Sequence, residues 1–443
     1  MSIESNSSTA CKINEIDFED KAFKRSRGAA VSTAALEYFV AILVSDAFLA
    51  KLLTNIGMSD ALIGIVSSLI SFSFLFQLLS IFLAKKIKNV KKTCITIFTI
   101  HQFFFMFLYI IPFLPLSVDV KTFLVFASII GAYAINYTVS SIISKWVNSY
   151  VDPRSRGRFS AGKEIVSLLG GIVFTLIVGK IVDKFESVGN INGAFIFISI
   201  SIFVLIIGNF ISLMMVKDGE VKLDNSEPKE LPLKDIIKNT LGNKNFVNVI
   251  IMTVLWDVAR CSLAGFLGVY KTNDLLLTVG TVQIINMAGS LMRMAFSIPF
   301  GKYSDKHSYA SGMKLALLLI SVAFLTMIFT TPKTKWLIIA YTVIYNVSFA
   351  GINANGSNIA YSYVKIDYLV PAMALKNSIG GICGFLSALG AGKFLSYVQS
   401  NGNMLFGFHV YGQQVLAAFS FVLTIITVLF IKFVIEKQKV IVQ

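Results

Sequence analysis

Residues 144–185, SKWVNSYVDPRSRGRFSAGKEIVSLLGGIVFTLIVGKIVDKF, can be laid without a gap over residues 357–398, SNIAYSYVKIDYLVPAMALKNSIGGICGFLSALGAGKFLSYV, at a constant offset of 213. The matches are few, but they fall on telling residues. Ser149-Tyr150-Val151 lies on Ser362-Tyr363-Val364, Lys163 on Lys376, Gly171 on Gly384, and Gly179-Lys180 on Gly392-Lys393. Glycines inside apolar runs, and lysines at both ends of one run, carry more weight than apolar identities, which match by chance. The offset is close to half of the 443 residues, so two similar halves are expected.

Composition says where such halves would sit. The chain is 55% hydrophobic and only 14% charged, with a mean hydropathy of +0.74. Soluble domains carry about a quarter charged residues. Apolar runs of about 20 residues recur, each long enough to cross a hydrocarbon core of about 30 Å. They predict twelve spans, at 29–53, 60–84, 93–115, 121–147, 161–183, 193–216, 246–269, 278–301, 312–331, 336–362, 370–395 and 411–433. An all-α polytopic membrane protein follows. Its expected parts are an N-terminal segment 1–28, a six-helix bundle 29–216, a linker 217–245, a second bundle 246–433 and a tail 434–443.

The net charge of +15 does not point to nucleic acid, because the 39 lysines and arginines gather mostly in alternate loops. Positive loops stay cytoplasmic. Both termini are therefore expected in the cytoplasm, with the chain multi-pass in the cell membrane. Lys21, Lys24, Arg25 and Arg27 agree at one end, Lys432, Lys437 and Lys439 at the other. The N-terminus has no early apolar core, so no cleaved signal peptide is expected. Cys11, Cys94, Cys261 and Cys383 have no paired spacing, which argues against a disulfide framework or a metal site. Glu220, Asp224, Glu227, Pro228, Glu230 and Pro232 make the linker polar, with a short amphipathic helix or a plain connector around 233–241.

The repeat joins spans four and five to spans ten and eleven. Helices six apart run the same way, so the halves are parallel. A weaker echo sets Phe48-Leu49 and Thr54-Asn55 on Phe266-Leu267 and Thr272-Asn273. After span eight stands Gly301-Lys302-Tyr303-Ser304-Asp305-Lys306. There the glycine would let helices approach, and Asp305 would meet a neighbouring helix N-terminus, where N–H groups favour an anion. This resembles the inter-helix loop of the major facilitator superfamily. Asp152-Pro153-Arg154-Ser155-Arg156-Gly157-Arg158 is similar to the same family's Pro-x-x-Arg-Gly pattern after span four. The resemblance covers residues 29–433 and implies two parallel six-helix bundles. It also implies a cytoplasmic gate containing Gly301, Asp305, Lys306, Arg156, Gly157 and Arg158. The first-half counterpart, Ala84-Lys85-Lys86-Ile87-Lys88-Asn89, lacks both the glycine and the aspartate. The two halves are thus expected to share a scaffold and not a chemistry.

Ionisable residues inside a span cost about 2.5–3.5 kcal/mol each on insertion scales and are usually functional. Glu37 and Asp46 in span one, Asp257 and Arg260 in span seven and Arg293 in span eight are the coupling or ion-pair candidates. Nine residues at about 100° each put Glu37 and Asp46 on opposite faces of a straight helix. Asp257 and Arg260 share a face, as a structural pair or as a proton-binding acid with a partner that switches, and Asp257 is the first candidate for the coupling acid, ahead of Glu37 and Asp46. Arg293 is an alternative partner for Asp257. The charges of these five sum to −1, leaning toward a proton or a cationic solute. Asn136, Gln283, Asn286, Asn346, Asn353 and Ser357 are the cavity candidates, because amides bond a polar solute or glue helices together.

No nucleotide-binding loop, nucleophile motif or metal cluster is present in the sequence, so an enzyme and a bound cofactor are not expected. The expected function is secondary transport of a small organic solute by alternating access in the lipid bilayer, coupled to protons, by a monomer. The alternative is a receptor or partner-binding protein that keeps the fold without moving a solute.

Overall fold

The computed structural model describes residues 18, 20–79, 87, 89–152, 156–218, 233–364, 368–405 and 407–438. Among them the chain is built of long helices. The first half has α1 (Lys21–Leu43), α2 (Asp46–Ile56), α3 (Asp60–Ser73), α4 (Val90–Leu108), α5 (Val118–Asn148), α6 (Arg156–Ser187) and α7 (Ile191–Met215). The linker carries α8 (Leu233–Thr240), which is the amphipathic helix of the sequence reading. The second half has α9 (Lys244–Ala264), α10 (Val279–Lys306), α11 (Tyr309–Ile328), α12 (Leu337–Tyr361), α13 (Leu369–Ser400) and α14 (Gly412–Phe433). A two-residue hairpin, Met404–Leu405 with Phe408–His409, joins the last two.

Polar residues start these helices. The side chains of Asp20, Ser59, Asn89, Asn190, Asn243, Thr278 and Ser308 accept bonds from first-turn N–H groups, satisfying donors that lipid would leave unpaired. Among the described residues nine helices are long and apolar enough to cross a membrane. Helices α1 and α2, bent by 42° at their break, make a tenth. Helices α4 and α10 stand where the third and eighth spans are expected.

Packing repeats between the halves. Helix α1 packs on α6 and α7 as α9 packs on α13 and α14; α4 packs on α5 and α7 as α11 packs on α12 and α14. Contacts across the halves obey the same symmetry, since α3 lies on α13 and α10 on α6. This is the arrangement that the 213-residue offset implies.

One expectation about geometry is corrected. The first span is not straight: Val44 and Ser45 interrupt it, and Asp46 opens α2 with a left-handed φ of 46°. Residue spacing therefore does not set Glu37 and Asp46 on opposite faces. The carbonyl of Leu43 at this break accepts a bond from the buried hydroxyl of Tyr109. The seventh span breaks as well. Beyond α9 a short turn, Leu267–Val269, leads into a π-helical turn, Tyr270–Asp274. Such turns often mark functional sites.

Candidate functional site

The two breaks meet. If Gly268 carried a Cβ, that atom would lie 2.7 Å from the backbone oxygen of Asp46, so only glycine lets the two spans come this close. Beside this contact lies a cavity of about 320 Å³ between the halves, lined by Asp46, Arg260, Lys271, Asn286, Tyr345 and Asn346 among others. A second chamber of about 270 Å³ shares Asp46 and Asn286 and adds Gln283. Asp46 stands where the two chambers join.

Asp46 accepts from Lys271 Nζ at 3.2 Å on Oδ1 and 2.9 Å on Oδ2, and from Asn286 Nδ2 at 2.7 Å on Oδ2. The Lys271 side chain is 6% exposed and that of Asp46 24%. Both donors belong to the second half, so this pair ties the halves together. Asp257 instead pairs within its own helix, accepting from Arg260 Nη2 at 3.2 Å. Its other oxygen rests on α13, where a Cβ on Gly380 would come within 2.4 Å of it. Lys376, buried on α13, is in electrostatic reach of Asp257 and donates to the carbonyl of Gly356 at 3.3 Å. Glu37 accepts from Asn136 Nδ2 at 3.1 Å and has Lys163 in reach.

Lys163 and Lys376 are one of the two lysine pairs matched by the internal repeat. Each half therefore places an acid of its first span in electrostatic reach of a lysine of its fifth. Arg293 does not reach Asp257. It donates to Glu164 at 3.2 Å and lies over the ring of Phe349 at 5.4 Å. With Lys271 and Lys376 added, the charge sum of the five candidates moves from −1 to +1, and the lean toward a cation disappears.

Further contacts between halves gather at the end away from the termini. Asp60 accepts from Asn273 at 3.1 Å and from Gln399 at 2.8 Å. Asp183 accepts from the N–H of Gly280 at 3.0 and 3.1 Å and from Thr278 at 3.3 Å, placing an anion at the N-terminus of α10. This conformer is held shut at that end.

The model of the Major Facilitator Superfamily matches residues 30–388. The chain belongs to the Major Facilitator Superfamily. No curated protein sequence matches it closely. Solved structures share its fold at low identity. A nucleoside transporter, NupG (D323A mutant), is 14% identical with a TM-score of 0.68, covering 92% of this chain and 99% of that one. A D-xylose-proton symporter is 12% identical with a TM-score of 0.68, covering 92% and 96%. The POT family transporter PepTSo is 12% identical with a TM-score of 0.63, covering 94% and 99%. The chain is thus a membrane protein of a transporter family.

In this facilitator the gate motif differs from expectation. Helix α10 runs on through Gly301–Lys306 and ends only at His307, so the motif is helical. A Cβ on Gly301 would meet nothing within 4 Å, whereas one on Gly312 would lie 2.1 Å from Ser304 Oγ. Gly312, not Gly301, permits close helix packing here. Asp305 is exposed in a cleft beside Ser308 and Tyr309, and makes no ion pair among the described residues. Lys306 is exposed as well. The ion pair nearby is Lys314 with Glu436, at 2.6 and 2.8 Å. Arg156, Gly157 and Arg158 open α6, but their side chains lie outside the described residues, as do that of Ser357 and the segment 80–86. Asn346 lines the cavity and donates to the carbonyl of Thr342, while Asn353 is exposed.

Sequence reasoning missed Lys271, which lies two residues beyond the predicted span end and looks like loop. It also passed over Lys376 and Glu164 inside predicted spans. For Lys376 the signal was present, as a charge in an apolar run with a repeat partner.

Proposed function

We propose that this facilitator is a secondary active transporter that moves a small organic solute by alternating access, driven by a proton gradient. We further propose that it works as a monomer in the cell membrane, with both termini cytoplasmic and the two bundles bounded at 29–216 and 246–433. The observation that carries the reading is the Asp46–Lys271 pair, a charged tie between halves at the wall of a central cavity. Opening the shut end separates α2 from the Tyr270–Asp274 turn and exposes Asp46 to water. A proton taken up there removes the charge that holds Lys271. Lys271, Asn286 and Tyr341 face Asp46 in the shut state, so the tie is sensitive to one protonation. Asp257 has its partner on its own helix, so its protonation loosens no contact between halves through that pair. For this reason Asp46 takes precedence as the coupling acid.

The test is solute counterflow and gradient-driven uptake in proteoliposomes. A solute that accumulates when the outside is acidified, and exchanges without a gradient, supports the proposal. Binding without any flux overturns it in favour of a receptor.

A further inference from the structure

We propose that the central cavity takes a zwitterionic solute whose cationic and anionic groups are separated by a short apolar body, of the ω-amino acid or short-peptide type. The proposal rests on the transporter reading for its biological sense, but the site is argued from its own chemistry. Two poles of opposite sign face one cavity, Asp46 and Arg260. Tyr341 lies in electrostatic reach of Asp46, and Tyr345 in reach of Arg260. These tyrosines sit on successive turns of α12, with ring centroids 5.5 Å apart. Gly268 lies against the backbone of Asp46, and Arg260 stands eight residues earlier in the same span, on the order of 12 Å back along it by helix rise. An α-amino acid, with both charged groups on one carbon, does not span them.

Charge balance selects the class. Each pole is already paired, Asp46 with Lys271 and Arg260 with Asp257. A cation or an anion alone adds uncompensated charge to a site poorly exposed to water, which is costly. A zwitterion adds none. A neutral solute also adds none, but leaves guanidinium donors idle. Arg260 has five N–H donors, and among the described residues one hydrogen bond engages them. A carboxylate on Arg260 and an ammonium on the partly exposed Asp46 use both poles together. Phe105 and Tyr133 add aromatic surface to the same cavity, and a cavity of about 320 Å³ suits a small ligand.

The test uses the full chain in detergent and a graded series: glycine, 4-aminobutyrate, 6-aminohexanoate and alanyl-phenylalanine, with pentylamine and pentanoate as single-charge controls. The readouts are thermal shift and isothermal titration of the wild-type chain. The separated zwitterions should bind at least about tenfold more tightly than glycine or either control, the effect of one charged hydrogen bond. Arg260→Gln should weaken them by a similar factor. The titration needs no variant, so a misfolded substitution leaves the test intact. Equal binding of a single-charge control, or no binding by any separated zwitterion, overturns the proposal. Counterflow distinguishes the two readings. Zwitterions that bind but never move remove the transporter reading and leave the site; flux of a neutral or singly charged solute alone does the reverse.

Discussion

Removing the carboxylate at Asp46 tests the tie between the halves directly. In Asp46→Asn the Lys271 ammonium, 6% exposed, keeps its place and loses its counter-charge. Deleting one partner of a buried pair costs about 3–5 kcal/mol. Asp46 is 24% exposed, so water screens part of the pair and the lower figure, about 3 kcal/mol, applies. That cost falls on the shut conformer, because only there are the partners in contact. At about 1.4 kcal/mol per decade it shifts the balance toward the open conformer by roughly a hundredfold. Lys271→Met leaves Asp46 with Asn286 and partial hydration, a milder loss of about 1–2 kcal/mol. The double substitution leaves no orphaned charge and should return near the wild-type balance, giving a coupling energy of about 2 kcal/mol or more. The assay is labelling of Leu267→Cys, 8% exposed in the shut conformer, in a chain without its native cysteines. A membrane-impermeant maleimide is applied from the side opposite the termini. Both single substitutions should accelerate labelling and the double should not. Additive single effects would refute the tie.

Other outcomes follow from the same contacts. Gly268→Ala, whose Cβ would press on backbone at 2.7 Å, should accelerate the same labelling without touching a charge. If uptake is proton-driven through Asp46, Asp46→Asn abolishes the response of uptake to the proton gradient and also weakens solute binding, because its carboxylate is one of the cavity's poles, while Asp257→Asn keeps the gradient response; loss of that response in Asp257→Asn alone returns the coupling to Asp257. Glu164→Gln should change transport little, because its carboxylate is 58% exposed and such pairs contribute about 0–1 kcal/mol; loss of transport would show the Arg293 pair to be a gate. Cysteines placed at Lys238 and His307, both exposed, should label from the cytoplasmic side alone, and labelling from outside overturns the orientation.

The fold was legible because a membrane makes simple demands. Spans must be long and apolar, and a repeated pattern of glycines and lysines survives as the offset of 213 residues. The site was half legible. Asp46, Arg260 and Asn286, which line the cavity, stand out in the sequence by the cost of polar groups in an apolar run. Which acid meets which base was not legible, because pairing depends on where helices break. Lys271 looks like loop until the Tyr270–Asp274 turn draws it inward. Gly301 looks like a contact glycine because the motif suggests it, but the contact falls to Gly312.

The breaks themselves explain why the charged tie sits where it does. An unbroken α1 would satisfy its own backbone and offer no reason for Asp46 to leave the helical region. At the interruption the N–H groups of Val44 and Ser45 still reach carbonyls of α1, but the carbonyl of Leu43 takes its bond from the Tyr109 hydroxyl, and backbone that turns to side chains for its bonds has to be packed inside protein. The nearest partner with the same need is the equivalent break of the seventh span, brought to it by the parallel repeat. Backbone contact at Gly268 and charge contact at Lys271 then seal the two breaks against each other. Under the proposed alternating access the seal holds in one conformer only, since parting the halves would return both breaks to water. The irregular backbone of each half is thus buried by the other half, and the charge placed there reports whether the two are together.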